Sequence, residues 1–282
     1  MSDDDLRYEE TPFLGGLYDP EILKKGRKEF VLKDEDVVAV TFPKSGTNWL
    51  IEILCLIHSK GDTKWIQSVP IWERSPWIES QPGFVAEGPR FLTSHLPIHL
   101  FPTSFFNSKA KVIQYVIRNP KDVIVSTYFF CNSVKLAKRP KSVEECLEGF
   151  LEEAGPYGSW FERCQAMLRT SEGEQTIRKV YDSQKKDTER SVEKICRFLG
   201  KKVEPEELSL ILKNSSFEIM KENKMSNYSM LGDVYLLQKN PLMRKGVTGD
   251  WKNYFTVAQA EAFDKLFQER MADLPRELFP WE

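Results

Sequence analysis

At 282 residues, with 41% hydrophobic and 29% charged side chains, the chain has ample material for a packed core, and its length allows one large α/β domain or two small ones. A formal net charge of −2 gives no general attraction for nucleic acid or an anionic membrane, although a small anionic ligand needs only a local basic patch. The five cysteines (Cys55, Cys131, Cys146, Cys164, Cys196) are odd in number and widely spaced, without CxxC or paired-histidine spacing, so reduced thiols fit better than a disulfide framework or a zinc site.

In chain order, Met1-Ser2-Asp3-Asp4-Asp5 is acidic where a signal peptide would be basic, and no apolar run of about 18 residues follows, so a cytoplasmic protein is expected. Residues 1–36 carry Pro12, Gly15, Gly16 and Pro20 before a charged stretch, and read as a lead-in with at most one short helix. Val37 to Phe42 is β-branched or aromatic and nearly all apolar, the pattern of a parallel strand covered on both faces, and Pro43 ends it. Trp49 to Ile57 is apolar on almost every side apart from Glu52 and reads as a core helix, with Thr47 or Asn48 as its cap. Between strand and helix, Lys44, Ser45, Gly46 and Thr47 offer a charge, two hydroxyls and a residue without Cβ at the positive end of a helix dipole, which suits an anion. The Walker form has two glycines with Lys directly after the second, whereas here Lys44 precedes the only Gly. An ordinary βα turn is the alternative.

Gly61 to Pro102 is rich in Trp, Pro and Ser and reads as irregular; Trp65, Trp72 and Trp77 either line a wide apolar pocket or cover the sheet. A second buried strand begins at Lys111 and ends at Arg118, followed by Asn119 as a helix cap and Pro120 at the first helical position. Open α/β sheets bind ligands at the carboxyl ends of their strands, and Arg118 there suits a bidentate phosphate contact, although a surface ion pair would use the same residue. Ser126 to Gln165 is helical, with breaks near Arg139-Pro140 and Ala154-Gly155-Pro156; Thr176 to Tyr181 is a short strand weakened by Arg178 and Lys179. Asp187 to Leu199 is an amphipathic helix stopped by Gly200, Glu204 to Leu212 is a short helix, and Leu242 to Trp251 is a basic loop. Thr256 caps a last amphipathic helix that runs to Met271. With no internal repeat, low-complexity tract or linker, one α/β domain spanning 1–282 is expected, with a central, mainly parallel sheet flanked by helices.

Three of these stretches together carry a resemblance: Thr41-Phe42-Pro43-Lys44-Ser45-Gly46-Thr47-Asn48-Trp49; Arg118-Asn119-Pro120-Lys121-Asp122 with Ser126; and Arg244-Lys245-Gly246-Val247-Thr248-Gly249-Asp250-Trp251. From about residue 30 to the carboxyl terminus the chain resembles the cytosolic sulfotransferases, most closely the hydroxysteroid and bile-acid branch. The resemblance implies transfer of a sulfonate group from 3'-phosphoadenosine 5'-phosphosulfate to an acceptor hydroxyl by in-line displacement, with no metal. By matched position, Lys44, Ser45, Gly46, Thr47, Asn48 and Trp49 would hold the 5'-phosphosulfate end, and Lys44 would stabilise the departing phosphate oxygen. Arg118, Ser126, Arg244, Lys245 and Gly246 would hold the 3'-phosphate, and Tyr181, Ser215 and Phe217 would lie around the adenosine. The adenosine contacts follow from the resemblance alone.

The chemistry asks for a base, and the chain has three histidines. His58 falls at the end of the core helix and reads as structural or exposed. From the residues alone His95 and His99 stand equal; by resemblance His95 matches the family's catalytic base. Pro97 biases the chain just after His95 toward extended backbone, so that it runs past a site instead of coiling away. The stretch after Trp251 resembles the family's dimerisation motif, with Lys252, Thr256, Val257 and Glu261 at the matching spacing, which implies a homodimer. Thr93 stands two residues before His95, where phenol-type members often carry Lys, and is what the hydroxysteroid branch leads one to expect. Other positions depart from that branch. The loop from Gln81 to Arg90 is shorter, Cys131 stands where a Trp occurs, and the strand before Tyr181 is more charged. Two other classes share the phosphate loop: a small-molecule kinase, which would need Mg²⁺, and a non-catalytic nucleotide-binding module, which would be indifferent to loss of His95.

Overall fold

The computed structural model describes residues 5–14, 18–80, 90–135, 137–169, 176–180, 185–237, 242–279 and 281. At the amino terminus β1 (Asp5–Tyr8) and β2 (Thr11–Leu14) form an antiparallel hairpin, ahead of a helix over Pro20–Glu29 capped by Asp19. The hairpin corrects the expected lead-in with one helix. Its turn residues, Glu9 and Glu10, both adopt positive φ, and neither is the Gly or Asn that announces such a turn.

The central sheet contains β3 (Val37–Thr41), β4 (Phe91–Ser94), β5 (Lys111–Ile117) and β6 (Thr176–Val180), in the order β4-β3-β5-β6, with every neighbouring pair parallel. All five residues of β3 are buried. Their side chains alternate between two cores, as the pleat requires. Val37 and Ala39 pack with the helix Thr47–His58 and with Val192, Ile195 and Ile211 from the helices Lys185–Leu199 and Pro205–Asn214. Val38 and Val40 join Phe13 of the hairpin, Leu23, Phe30 and Leu100 on the opposite face. Each such aliphatic side chain contributes about 1.5–3 kcal/mol when fully removed from water. The hairpin and first helix are thus the cover of one sheet face.

A third apolar cluster joins Phe42, Val123 and Ile124 to Trp160, Phe161, Phe263 and Phe267, and so seats the helices Trp160–Arg169 and Val257–Arg270 against Pro120–Cys131. Glu52, the one charge on the core helix, is buried against Arg74, whose Nη1 donates to it at 2.8 Å, and Ser226 adds a hydroxyl at 3.0 Å. Burying one partner of such a pair without the other would be far more costly than burying both. Among the described residues no helix is long and apolar enough to cross a membrane.

β4 corrects the irregular reading of Gly61 to Pro102. Four residues between Arg90 and His95 are too few for a periodic signal, and the strand forms because β3 lies beside it. Its presence has a direct consequence. In a parallel sheet the strands finish on one edge; β3 runs into Pro43 and Lys44, β4 into His95, and β5 into Arg118. Three stretches up to 74 residues apart in sequence therefore arrive on the edge where open α/β sheets hold ligands.

Candidate active site

The loop after β3 leaves its helix end open. Ser45 N donates to Phe42 O at 3.2 Å, and Lys44 (φ 64°) and Gly46 (φ 97°) both adopt the left-handed conformation. That conformation is free for Gly and strained for Lys, a cost of roughly 1–3 kcal/mol of the kind found at ligand clamps. Gly46, not Thr47 or Asn48, is the cap of the helix Thr47–His58, and no side chain bonds its first amides. The two expected capping side chains are engaged elsewhere: Thr47 Oγ1 lies 2.8 Å from Thr41 Oγ1, and Asn48 Oδ1 accepts from Tyr228 at 3.3 Å. Among the described residues the buried Ser45 hydroxyl finds no hydrogen-bond partner. An uncapped amide cluster, a buried hydroxyl and the positive end of a dipole together suit an anion.

The Lys44 ammonium stands 4.1 Å over the Phe130 ring. Burial, with Arg118 adding like charge, lowers its pKa to about 8. Arg118 Nη1 in turn donates to the Lys44 carbonyl at 2.7 Å, which makes the loop and the end of β5 one unit. Asn119 caps the next helix through Lys121 N at 3.0 Å, with Pro120 at its first position, as expected. Ser126, Phe129 and Phe130 follow on that helix at i, i+3 and i+4 and share a face. Phe130 lies under Lys44, and Phe129 lies 4.4 Å beneath the Arg244 guanidinium, so Ser126 belongs to the face that gathers these cations.

Arg244 and Lys245 are both bonded to Asp250, Lys245 Nζ at 2.7 Å from Oδ1. Burial opposes ionisation of Asp250, yet hydrogen bonds from Lys245, Arg244 and Asn253 outweigh it and carry the carboxyl down to about 2. The basic loop is tied back by Asp122, whose carboxylate accepts from Gly249 N at 2.7 Å and Trp251 N at 3.0 Å, while Lys121 lies 3.9 Å over the Trp251 ring. Sequence reasoning gave Lys121 and Asp122 no role. The available signal was their position in the first turn after the Asn119 cap, next to Arg118.

Beside the phosphate loop a cleft of about 630 Å³ is lined by Trp49, Ser215, Phe217, Met220 and Gly246, among others. Trp49 Nε1 donates to Ser215 O at 2.8 Å, and the Phe217 ring lies directly against Gly246 (φ 68°). The volume and the mixture of rings with small polar groups suit a nucleoside-sized ligand.

His95 is the first residue beyond β4, and its Nδ1 lies 2.8 Å from the Thr41 carbonyl oxygen and 3.0 Å from Thr41 Oγ1. A carbonyl only accepts, so Nδ1 carries the proton and Nε2 the lone pair. Trp77 and Tyr157 meet the imidazole edge-on, with ring centroids at 4.6 and 5.1 Å. Burial pushes the imidazole down to about 3 against the pull of the Thr41 bond, so it is neutral around pH 7. His99 is separated from this arrangement: it is exposed on a 3₁₀ turn, with Nε2 at 3.4 Å from Thr11 Oγ1. His58 is exposed and packs edge-on against Trp65 and Phe91.

A sulfotransferase domain matches residues 34–275 of the chain. The chain belongs to the sulfotransferase family. Human sulfotransferase 2A1 is 62% identical to it over 100% of both chains. The 3-beta-hydroxysteroid sulfotransferase of Cavia porcellus is 54% identical over 100% of this chain and 99% of its own. Mouse sulfotransferase SULT7A1, solved in complex with PAP, is 28% identical and superimposes with a TM-score of 0.80 over 99% of both chains.

In this sulfotransferase several of the residues that sequence reasoning singled out touch one another. Thr41 joins His95 to Thr47, Arg118 holds Lys44, Trp49 holds the Ser215 carbonyl, and Phe217 covers Gly246. Tyr181 and the loop over 81–89 lie outside the described residues. Thr93 is buried with its hydroxyl 2.7 Å from Ser75 Oγ, so that position brings no cation toward His95. Among the described residues no group of three or more metal-ligating side chains occurs.

Proposed function

We propose that this sulfotransferase moves the sulfonate group of 3'-phosphoadenosine 5'-phosphosulfate to a hydroxyl of a steroid or bile acid, with His95 as general base. The observation that carries the reading is the tautomer of His95: its Nδ1–H is held by Thr41, so a neutral Nε2 lone pair is presented beside the uncapped helix that follows β3. His95 Nε2 takes the hydroxyl proton as the acceptor oxygen forms its bond to sulfur and the bond from sulfur to the phosphate oxygen breaks. Lys44, the open amides of the helix and Ser45 hold the negative charge that grows on that leaving oxygen. Arg118, Ser126, Arg244, Lys245 and Gly246 take the 3'-phosphate; Trp49, Ser215 and Phe217 take the nucleoside, with Tyr181 assigned by motif position alone. The anionic donor raises the basicity of His95 above its value in the free protein, since a nearby negative charge favours imidazolium.

A steroid acceptor is supported by the names of close relatives, the 3-beta- and 3-alpha-hydroxysteroid sulfotransferases of Cavia porcellus, each 54% identical. Trp77 and Tyr157, set against the base, offer rings that suit a flat apolar nucleus. We place the protein in the cytoplasm, read 1–282 as a single domain, and assign a homodimer through Lys252, Thr256, Val257 and Glu261. Val257 supports that interface: it is 75% exposed at the start of its helix, next to the cap Thr256.

The test is a screen of hydroxysteroids, bile acids and simple phenols with labelled donor, with and without a Mg²⁺ chelator. Transfer to steroid or bile-acid hydroxyls, unaffected by the chelator, is expected. Transfer to phenols alone would overturn the acceptor class, and loss with chelator would favour metal-dependent phosphoryl chemistry.

A further inference from the structure

His95 is held at two points, and only one of them is its ring. Its main-chain N–H donates to Glu79 Oε1 at 2.8 Å. Glu79 is 1% exposed and sits in a turn after a segment that runs beside β4, where Thr93 N donates to Pro76 O at 2.9 Å and Ile78 N to Thr93 O at 3.0 Å. Around the carboxylate the Ser94 hydroxyl interacts with it and also accepts from Leu96 N at 3.0 Å. From the helix Trp160–Arg169, the buried Arg163 donates through Nη2 to Leu96 O at 2.5 Å. The main chain from Ser94 to Leu96 is therefore gripped by an acid and by a guanidinium.

This arrangement is costly. Among the described residues Glu79 Oε2 and Arg163 Nη1 are both buried without a hydrogen-bond partner. A neutral side chain would hold the His95 N–H only through a weaker, uncharged bond, and two half-used charges in an apolar interior carry a penalty that packing alone does not repay.

We infer that Glu79 is a positioning residue for sulfonate transfer: its ionised carboxylate fixes the main chain of His95, and so the direction of Nε2, and its protonation loosens that hold. The inference rests on the assignment of His95 as the base. Burial raises the Glu79 carboxyl to about 7, against the bonds from His95 and Ser94 and the charge of Arg163. Among the described residues the other titratable groups that face it do not change charge there. Arg163 is lowered by burial only to about 10; the Tyr18 and Tyr157 phenols, 2.5 Å apart, are both raised by burial; and His95 is already neutral. Below about pH 7 Glu79 takes up a proton, its bond to the His95 N–H loses its charge, and Arg163 loses its counter-charge. The transfer rate falls on the acid side through Glu79 and not through titration of His95.

Two measurements on the full chain test this, one of them independent of activity. With only three histidines, ¹⁵N-imidazole labelling gives few signals. The His95 ring signals of the parent should shift with a midpoint near pH 7 while keeping the pattern of a neutral Nδ1–H ring, and the shift should vanish in Glu79→Gln. Single-turnover rates with donor and a hydroxysteroid should drop roughly tenfold or more in Glu79→Ala, with PAP affinity unchanged, as expected for a misdirected group. Glu79→Gln, an uncharged acceptor like the protonated acid, should stay near the parent's acid-side rate at every pH and lack the rise through pH 7. His95 signals that still move near pH 7 in Glu79→Gln, or a Glu79→Ala rate equal to the parent's, would overturn the inference. A parent that transfers sulfonate to no acceptor would defeat the proposed function and leave the imidazole titration as the test of this coupling.

Discussion

The Phe217 ring covers Gly246 so closely that a Cβ at Gly246 would stand 2.3 Å from the ring's Cγ and Cδ2 atoms. The same residue sits at φ 68°, where a side chain is strained whatever the space. The two residues form one wall of the cleft assigned to the nucleoside. Gly246→Ala should therefore displace Phe217 and weaken PAP binding by about tenfold or more, roughly 1.4 kcal/mol. It should also cost about 1–3 kcal/mol of stability. Calorimetric titration with PAP checks the first figure and thermal unfolding the second; parent-like binding would mean that this wall does not touch the nucleotide.

His95→Ala should lower the single-turnover rate by roughly 10² to 10⁴ at saturating donor, while PAP affinity stays near the parent value. His99→Ala should cost little, because His99 is exposed and its hydrogen-bond contact, to Thr11, is long at 3.4 Å. A single-turnover comparison keeps slow product release from masking the chemical step. Retention of most of the rate in His95→Ala would remove the base from this position.

Arg118 has two bonds to lose. Its Nη1 contact to the Lys44 carbonyl at 2.7 Å shapes the phosphate loop, and its charge is assigned to the 3'-phosphate. Arg118→Ala should weaken PAP by about 2 kcal/mol or more, the scale of a charged hydrogen bond, and weaken the 3'-dephospho analogue by a smaller amount that reflects the loop alone. Equal losses for both nucleotides would show that Arg118 shapes the loop without reading the 3'-phosphate.

Lys44, lowered to about 8 by burial, sets a pH dependence of donor binding. The anionic ligand favours the ammonium, so the pKa rises on binding and a proton is taken up. Affinity should be level below about pH 8 and then weaken by up to about tenfold per pH unit until the pKa of the bound state is reached. Calorimetry in buffers of different ionisation enthalpy reads the proton uptake directly. Lys44→Gln should bind more weakly at pH 7 and show no such decline; an unchanged slope would place the titrating group elsewhere.

Val257→Glu places a charge at a residue that is 75% exposed in the single chain and assigned to a two-fold contact. So small an interface depends on its apolar centre, since its area alone would hold it weakly. The variant should elute as a monomer by size-exclusion chromatography with light scattering, with single-turnover activity retained. A variant that remains dimeric would move the interface to another surface.

Local chemistry was legible wherever it is written in consecutive residues. The strand Val37–Thr41, the Asn119-Pro120 helix start, the Thr256 cap, and the βα order that implies a parallel sheet all follow from periodicity and capping. The run Lys44 to Thr47 announced an anion site for the same reason, since an uncapped helix after a strand needs no distant partner. The tertiary structure decided what depends on contacts between distant segments. The cap moved to Gly46 because Thr47 turns to Thr41 and Asn48 to Tyr228, neither of which is marked locally. The hairpin of residues 5–14 and the four-residue β4 form because a neighbouring strand supplies their hydrogen bonds, which short, aperiodic segments cannot announce. His95 and His99, equal in sequence, are told apart by a contact to a segment 54 residues earlier: the carbonyl that fixes the His95 tautomer belongs to Thr41. Composition and spacing specify which elements form, but the direction of a lone pair depends on which distant backbone oxygen lies 2.8 Å from the opposite ring nitrogen, and packing alone sets that.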